Sequence, residues 1–464
     1  RSRALFTFVS GVLVINPLYA QSDTEGDDAT RLDAIVVSGM RGSLEQSMGV
    51  RRDSTGIVDA ISSEDIGKFP DTNLAESLQR ITGISIERRD GEGAQVTARG
   101  FGPQFNLVTL NGRQIPGADA FGAPGQVPIG GVDGGTRAFN FAQLASEAVS
   151  GLEVYKTGQA HVPSGGIGAS INILTARPLD REGLVANAGL KGMYDESAPF
   201  DREITPEVSG IFSYANDDKT WGVSLSASYQ ERQGGSIQAT ENGWNVQPWT
   251  GTEAALRPGA SVVNPPAIGQ LYGMPNDIRY AFADFQRERL NAQGVLQFAP
   301  TDSLTLTLDY TYGNNEITED RGEQTQWLQR SNSFTHLEFD TGQAVATPIY
   351  LRDVVGLKDF GLEQQRSMQK YRLDSLGFNA VWRANDDLRF TVDTHQSKSR
   401  SLPNDPFTGG GSTFFSLAGT NNCQAGGPYC GGGWAQEFRF NSGLPIASRT
   451  WYPTIADALA GSNG

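Results

Sequence analysis

The sequence predicts a compact α+β domain followed by an antiparallel, transmembrane-type β-barrel, only part of which lies within the 464 residues. Three observations predict it. Short mixed elements occupy about residues 40–180, long alternating strands take over across 181–464, and the connections between those strands are alternately very short and very long. The composition fits, with 56 Gly and a formal net charge of −15. That acidity argues against nucleic acid as a partner, because neutralising phosphates takes clustered Lys and Arg. No stretch beyond the first residues offers a transmembrane helix. A membrane barrel needs none, since each of its strands shows lipid only every second residue.

The first segment reads as an export signal. Arg1 and Arg3 precede an apolar run from Ala4 through Ile15, and Pro17-Leu18-Tyr19-Ala20 offers a small-residue cleavage position before Gln21. This is the order of a secretory signal peptide over 1–20, and the run is too short for a spanning helix of about 20 apolar residues. The chain opens on Arg, so its start is expected to be clipped. Residues 21–39 form a polar, acidic arm. One β-branched run interrupts it, Asp33-Ala34-Ile35-Val36-Val37-Ser38-Gly39. Such a run cannot bury itself locally, so it suits strand addition to a partner's sheet edge, the alternative being the first strand of the next domain.

Within residues 40–180, Asp71 through Ile81 reads as an amphipathic helix capped by Asp71. Leu74, Leu78 and Ile81 form its apolar face, and Gly83 stops it. Strands are expected at Ile84 to Glu87, Gln95 to Arg99, Leu107 to Leu110, Leu152 to Tyr155 and Ser170 to Leu174, with Asn111-Gly112 as a tight turn. Pro116 to Arg137 is an irregular Gly, Ala and Pro-rich loop. Gly165, Gly166 and Gly168 do not complete a nucleotide-binding pattern and precede a strand, so they read as close packing.

Beyond residue 180 the alternation is plain. Trp221, Val223, Leu225, Ala227 and Tyr229 alternate with Gly and Ser, Leu304 to Tyr312 with Thr and Asp, and Leu376 to Trp382 and Leu388 to Val392 do likewise. Asn216 to Lys219, Ala299 to Asp302 and Asn385 to Asp387 are short turns. The connections around Glu231 to Gln286, Asn314 to Lys370 and Ser401 onward are long. Short turns at one end and long loops at the other mark an outer-membrane barrel. Tyr214, Phe298 and Trp382 lie near strand ends, where interfacial aromatics belong. About seven strands are present, whereas a barrel wide enough to hold a folded domain has about 22, so most of the barrel is expected to lie outside this chain.

Cys423 and Cys430 bracket a Gly-rich loop, and in an exported protein a local disulfide is the natural reading. No metal site, cofactor or enzymatic constellation is expected. His161, His336 and His395 stand without partners at metal or triad spacing. A secreted soluble lectin or glycosidase is the different-class alternative, and it leaves the N-terminal motifs unexplained.

Those motifs resemble the TonB-dependent outer-membrane receptors of Gram-negative bacteria. Asp33 with Ile35-Val36-Val37-Ser38 resembles the TonB box. Asp71 to Ile84 looks like the opening of the plug domain. Ala98-Arg99-Gly100-Phe101-Gly102 and Leu110-Asn111-Gly112-Arg113 resemble plug strands, and Leu152 to Lys156 with Gly165 to Ile173 resemble the motifs that close the plug. Gly67-Lys68-Phe69-Pro70-Asp71, Tyr155-Lys156-Thr157 and Ala176-Arg177-Pro178-Leu179-Asp180 are similar to the Caulobacter and Xanthomonas-type branch, often associated with oligosaccharide uptake as well as iron complexes. The resemblance implies a plug inside a barrel, TonB pairing with Asp33 and Ile35 to Ser38, and import of a scarce small ligand. An oligosaccharide is the first expectation and a ferric siderophore the alternative. It also implies that Arg99, and with less support Glu153, meet the barrel wall. Ligand contacts are expected from the plug loop and from Trp244, Trp249, Trp327, Phe414, Phe415 and Trp434, which suit sugar rings, iron complexes or simple packing equally.

Overall fold

The computed structural model describes residues 48–62, 73–89, 91–117, 138–146, 149–180, 182–198, 204–240, 243–253, 255–328, 332–355, 360–407, 409–410, 412–419, 433–440 and 445–461. Residues 33–38, Asp71, most of the loop from Pro116 to Arg137, and Cys423 with Cys430 lie outside them. Chain contacts divide the protein into two compact units: Arg1–Gly234, Phe285–Thr318 and Ser367–Gly411 form the first, and Gly235–Asp284, Glu319–Arg366 and Ser412–Gly464 the second.

The first unit contains a small domain with β1 (Val58–Ser62), helix α1 (Leu74–Leu78), β2 (Ile84–Arg89), β3 (Glu92–Ala98), β4 (Leu107–Leu110), β5 (Arg113–Gln114), β6 (Val149–Tyr155) and β7 (Ser170–Thr175). Its main sheet has the order β1-β6-β7-β4-β5, and β2-β3 stand apart as a hairpin. Strands β4 and β7 are parallel, and β1, β6 and β7 pair antiparallel. Leu74, Leu78 and Ile81 pack against Ile84, Val96, Leu152, Val154, Ile171 and Ile173 to make the core. The expected helix is shorter than its apolar pattern. Its cap is Asn73, whose side-chain oxygen accepts from the backbone N–H groups of Ala75 at 3.0 Å and Glu76 at 3.3 Å. The same side chain donates to the Gly93 carbonyl, so a tertiary contact with the hairpin fixes where the helix begins. Asn111 (φ 53°) and Gly112 (φ 81°) both adopt left-handed backbone, as the tight turn between β4 and β5 requires.

A wall of seven strands follows: β8 (Gly183–Tyr194), β9 (Ile204–Ala215), β10 (Trp221–Thr240), β14 (Asp277–Thr301), β15 (Leu304–Trp327), β19 (Phe360–Arg383) and β20 (Arg389–Pro403). They neighbour one another in sequence order. The pairs β8–β9, β9–β10 and β19–β20 are antiparallel. Among the described residues the sheet does not close. The wall is polar on the covered face and apolar on the open one. Gln230, Arg287, Asn291, Gln293, Gln297, Thr307 and Asp309 are buried, whereas Leu190, Phe212, Leu225, Leu296, Phe298, Leu376 and Trp382 are exposed. Water-soluble sheets have the opposite sense, and lipid is the solvent that rewards this one.

The long connections are not irregular. They fold into the second unit, with β11 (Trp244–Pro248), β12 (Leu256–Val263), β13 (Leu271–Pro275), β16 (Phe334–Phe339), β17 (Val345–Ala346), β18 (Pro348–Val355), β21 (Ser412–Gly419), β22 (Gly433–Phe440), β23 (Pro445–Tyr452) and helix α2 (Ile455–Ala460). Two sheets, β11-β13-β17 and β12-β16-β18-β22-β23, share a core of Trp249, Tyr272, Phe334, Phe339, Leu351 and Phe438.

Leu376→Arg on the exposed face is expected to weaken refolding of the full-length protein into phospholipid vesicles by about 2–4 kcal/mol. Unchanged insertion would place that face away from lipid.

Candidate functional site: the charged seat of the small domain

Within the first unit the small domain rests on the polar face of the wall, and two buried charged groups fix its position. The first is Glu92, at the tip of the β2–β3 hairpin. Gly91 turns the chain there with φ 73°, and Gly93 sits so close to Ala75 and Asn73 that an added Cβ would lie 2.9 Å from the Ala75 side chain. The hairpin is thereby fastened to the start of α1, and Glu92, 1% exposed, is aimed at the wall. On β14, Arg287 and Arg289 stand two residues apart and therefore on one face. Arg287 forms an ion pair with one Glu92 oxygen, and Arg289 Nη1 lies 3.3 Å from the other. Both guanidiniums also donate to Gln230 Oε1 on β10, at 3.0 and 2.6 Å. Burial alone pushes the Glu92 carboxyl up, but Arg287, Arg289 and Arg232 together outweigh it and hold the carboxyl below its ordinary range.

The second group is Arg113, placed by the Asn111-Gly112 turn. Its Nη1 donates to both oxygens of Asp309 on β15 at 2.7 Å, and its Nε donates to Asp393 on β20 at 2.8 Å. Gly377 on β19 makes the room, since an added Cβ there would fall inside the guanidinium. Burial lowers the affinity of Arg113 for its proton, yet its hydrogen bonds to the two aspartates raise it overall. The turn itself is held by Asn172, whose Oδ1 accepts from Gly112 N at 2.7 Å and from Thr109 Oγ1 at 2.9 Å.

Elsewhere the seam mixes polar and apolar contacts and is only partly filled. Asn291 on the wall accepts from Ala145 N at 3.0 Å and donates to the Gln143 carbonyl at 2.9 Å. Leu373 on β19 joins the small domain's core. A cavity of about 30 Å³ lies beside them, lined by Leu110, Leu144, Val149, Ile173, Ser228 and Asn291 among others. It is large enough for a water molecule or two.

Arg99 and Glu153, the expected wall contacts, have hydrogen bonds within the small domain. Arg99 (φ 53°) turns back into its own domain, where it donates to the carbonyls of Gly168 at 2.7 Å and Ile167 at 3.0 Å. Glu153 accepts from Tyr155 at 2.8 Å and from Asn172 at 3.0 Å, also within the domain. Glu92 escaped sequence reading because Asp90-Gly91-Glu92-Gly93 looks like a solvated turn. Arg113 carried a usable signal, an arginine directly after a tight turn.

Among the expected ligand contacts, Trp249 is 3% exposed and sits in the core of the second unit, edge-on to Tyr272 at 5.1 Å and Phe339 at 5.4 Å. Trp244 is half-buried and lies 6.0 Å from the Phe440 ring. The Trp327 carbonyl accepts from Gln436 at 3.1 Å, and the Arg449 guanidinium lies 5.9 Å from the Trp434 ring. Phe414 and Phe415 fall on β21, with side chains outside the described residues. No group of metal-ligating side chains occurs among the described residues.

Arg113→Ala leaves Asp309 buried without its charge partner and is expected to destabilise the seated domain by about 3–5 kcal/mol, read as unfolding of that domain in denaturant. Because the Glu92 carboxyl is held low, its contribution is complete at neutral and mildly acidic pH and is lost as pH falls through that lowered value, below the ordinary carboxylate value of about 4. Hydrogen-exchange protection factors of the small domain, corrected for the intrinsic pH dependence of exchange, should therefore be alike at pH 7 and pH 5 and fall sharply only below. A loss of protection already between pH 6 and pH 5 would contradict the assignment.

Comparison with known proteins places these features. Residues 50–170 match the family described as the TonB-dependent Receptor Plug Domain. Ferric enterobactin receptor PirA of Pseudomonas aeruginosa is 28% identical over 158 residues, 32% of this chain and 19% of its own length. Among solved structures, a mutant of the ferric enterobactin receptor PfeA of Pseudomonas aeruginosa aligns over 87% of this chain and 60% of its own, at 11% identity and a TM-score of 0.39. The siderophore receptor PirA of Acinetobacter baumannii aligns over 85% and 62%, at 12% identity and a TM-score of 0.31. The chain thus covers less than two thirds of each of these proteins. Residues 50–170 are thereby identified as a TonB-dependent receptor plug domain.

Proposed function

We propose that the protein imports a ferric siderophore across the outer membrane of a Gram-negative bacterium, driven by TonB. The plug seated through Glu92 and Arg113 on the polar face of an inside-out wall carries this reading. Such a seat closes a lumen while the plug stays a separately folded body. The preference for an iron complex over the oligosaccharide expected from the branch motifs rests on relatives named as ferric enterobactin and siderophore receptors. The internal packing of Trp249 also removes one of the aromatic faces that a sugar would need.

In this reading TonB pairs with Asp33 and Ile35 to Ser38 as an added strand, and the pull enters the plug through the segment ahead of β1. Among the described residues, strand β1 is an edge strand whose only sheet partner is β6, in the register Val58↔Tyr155 to Ser62↔Gly151. Tension arriving at Val58 loads that ladder from one end, so its hydrogen bonds break in turn. Asp59 holds the same end through ion pairs with Arg51 and Lys156. Loss of β1 uncovers the sheet that positions Arg113, and the charged seat then separates into the lumen, where water resolvates both sides.

Backbone pairing tolerates varied side chains but not a missing donor. Val36→Pro in the full-length receptor is therefore expected to abolish uptake of a labelled ferric catecholate siderophore by a receptor-deletion strain while ligand binding to cells persists. Normal uptake by that variant would sink the TonB assignment. Uptake of a labelled oligosaccharide in place of the iron complex would keep the transporter and discard the ligand.

A further inference from the structure

Among the described residues, the wall around Glu92 holds more positive charge than the plug neutralises. Arg232 on β10 and Arg287 and Arg289 on β14 are 7%, 3% and 3% exposed, on neighbouring strands. Among the described residues, Glu92 is the only fully buried carboxylate shared among them. Asp195 lies 3.6 Å from Arg232 and is partly open to solvent. Glu207 is one group further away, accepting from Gln230 Nε2 at 2.7 Å, and is already paired with Lys191 at 2.8 Å. The Nε of all three arginines and Nη1 of Arg232 are buried without a hydrogen-bond partner. Unmet guanidinium donors inside a protein are costly, and a cluster of them marks a place built for anionic oxygen.

We propose that Arg232, Arg287 and Arg289 form an oxyanion-binding site on the inner wall, which Glu92 fills while the plug is seated and a carboxylate or phosphate-like group fills once the plug has left. Resting on the reading of this face as the lumen of an import pore, the site gives anionic cargo a place to dwell along the opened path. Glu92 acts as the internal stand-in. It approaches on a hairpin tip so tightly applied that a Cβ at Gly91 would lie 3.2 Å from Arg232 Nη2. When the tip withdraws, three guanidiniums face the lumen with Asp195 as the nearest compensation, and their unused N–H groups become the strongest anion donors on that strip.

Anion rescue tests the site without any need for TonB or for the natural cargo. In the full-length receptor, Glu92→Ala removes the stand-in and leaves a carboxylate-sized space. Sodium acetate and inorganic phosphate are each expected to raise the unfolding midpoint of this variant by about 2–4 °C, beyond the effect of the same ionic strength of a bulky anion. The wild type and Glu92→Gln, whose spaces are filled, should not respond. The rise should vanish when Arg287→Gln and Arg289→Gln are added. No specific rise, or one that survives loss of the arginines, would overturn the proposal. Should Glu92→Ala not fold, the wild-type receptor in a planar bilayer under a KCl gradient reads the same strip. With the plug loosened by denaturant, Arg287→Gln with Arg289→Gln must shift the reversal potential toward cation selectivity, and an unchanged potential would overturn the site. Failure of siderophore uptake would leave both results standing, so the two readings fail separately.

Discussion

Two charged clusters of opposite sense, four ion pairs in all among the described residues, hold the plug against the wall: a plug carboxylate among wall arginines, and a plug arginine between wall aspartates. Glu92, Arg287, Arg289, Arg113 and Asp309 are hidden from water while Asp393 stays partly open to it, so both contacts are poor glue. Desolvation consumes most of what attraction returns, and a well-packed apolar contact would bind at least as firmly. What buried charges supply is position, because any shift that parts them without rehydration is strongly penalised. That combination suits a stopper. It is fixed in register while seated and becomes cheap to leave once water enters the seam, where a small cavity already lies.

The seat also explains why the wall looks wrong for a soluble sheet. Gln, Asn, Arg, Asp and Thr line the covered face, where they meet the polar groups of the plug. Leu, Phe and Trp occupy the open face because lipid asks nothing of them but apolarity. Gly377 shows how finely one face is fitted to the other, since the slot for Arg113 exists only where a strand lacks a side chain.

Much of this was legible in the sequence. Strand alternation with period two, the segregation of short turns from long connections, and the Asn111-Gly112 turn are local properties, and local properties survive into the fold. The helix cap was misplaced by two residues because Asn73 is selected by its bond to Gly93, a contact that no local pattern records. The seat was illegible for the same reason. Glu92 sits 195 positions from Arg287 and Arg113 280 from Asp393, and nothing in the spacing announces either pair. Arg99, which carries the motif, donates to the Gly168 carbonyl of its own domain. The strands of the long connections were not legible because they alternate less cleanly, and the second unit's core assembles Trp249, Phe339 and Phe438 from three separate stretches of chain.

The central claim is that import requires the plug to leave its seat. A disulfide across the seam tests it most directly, with Ala145→Cys on the plug and Asn291→Cys on the wall, whose native groups already touch at 3.0 Å. The oxidised full-length receptor should bind ligand normally and import none, and reduction in the same cells should restore uptake. Undiminished import with the bridge intact would contradict the account.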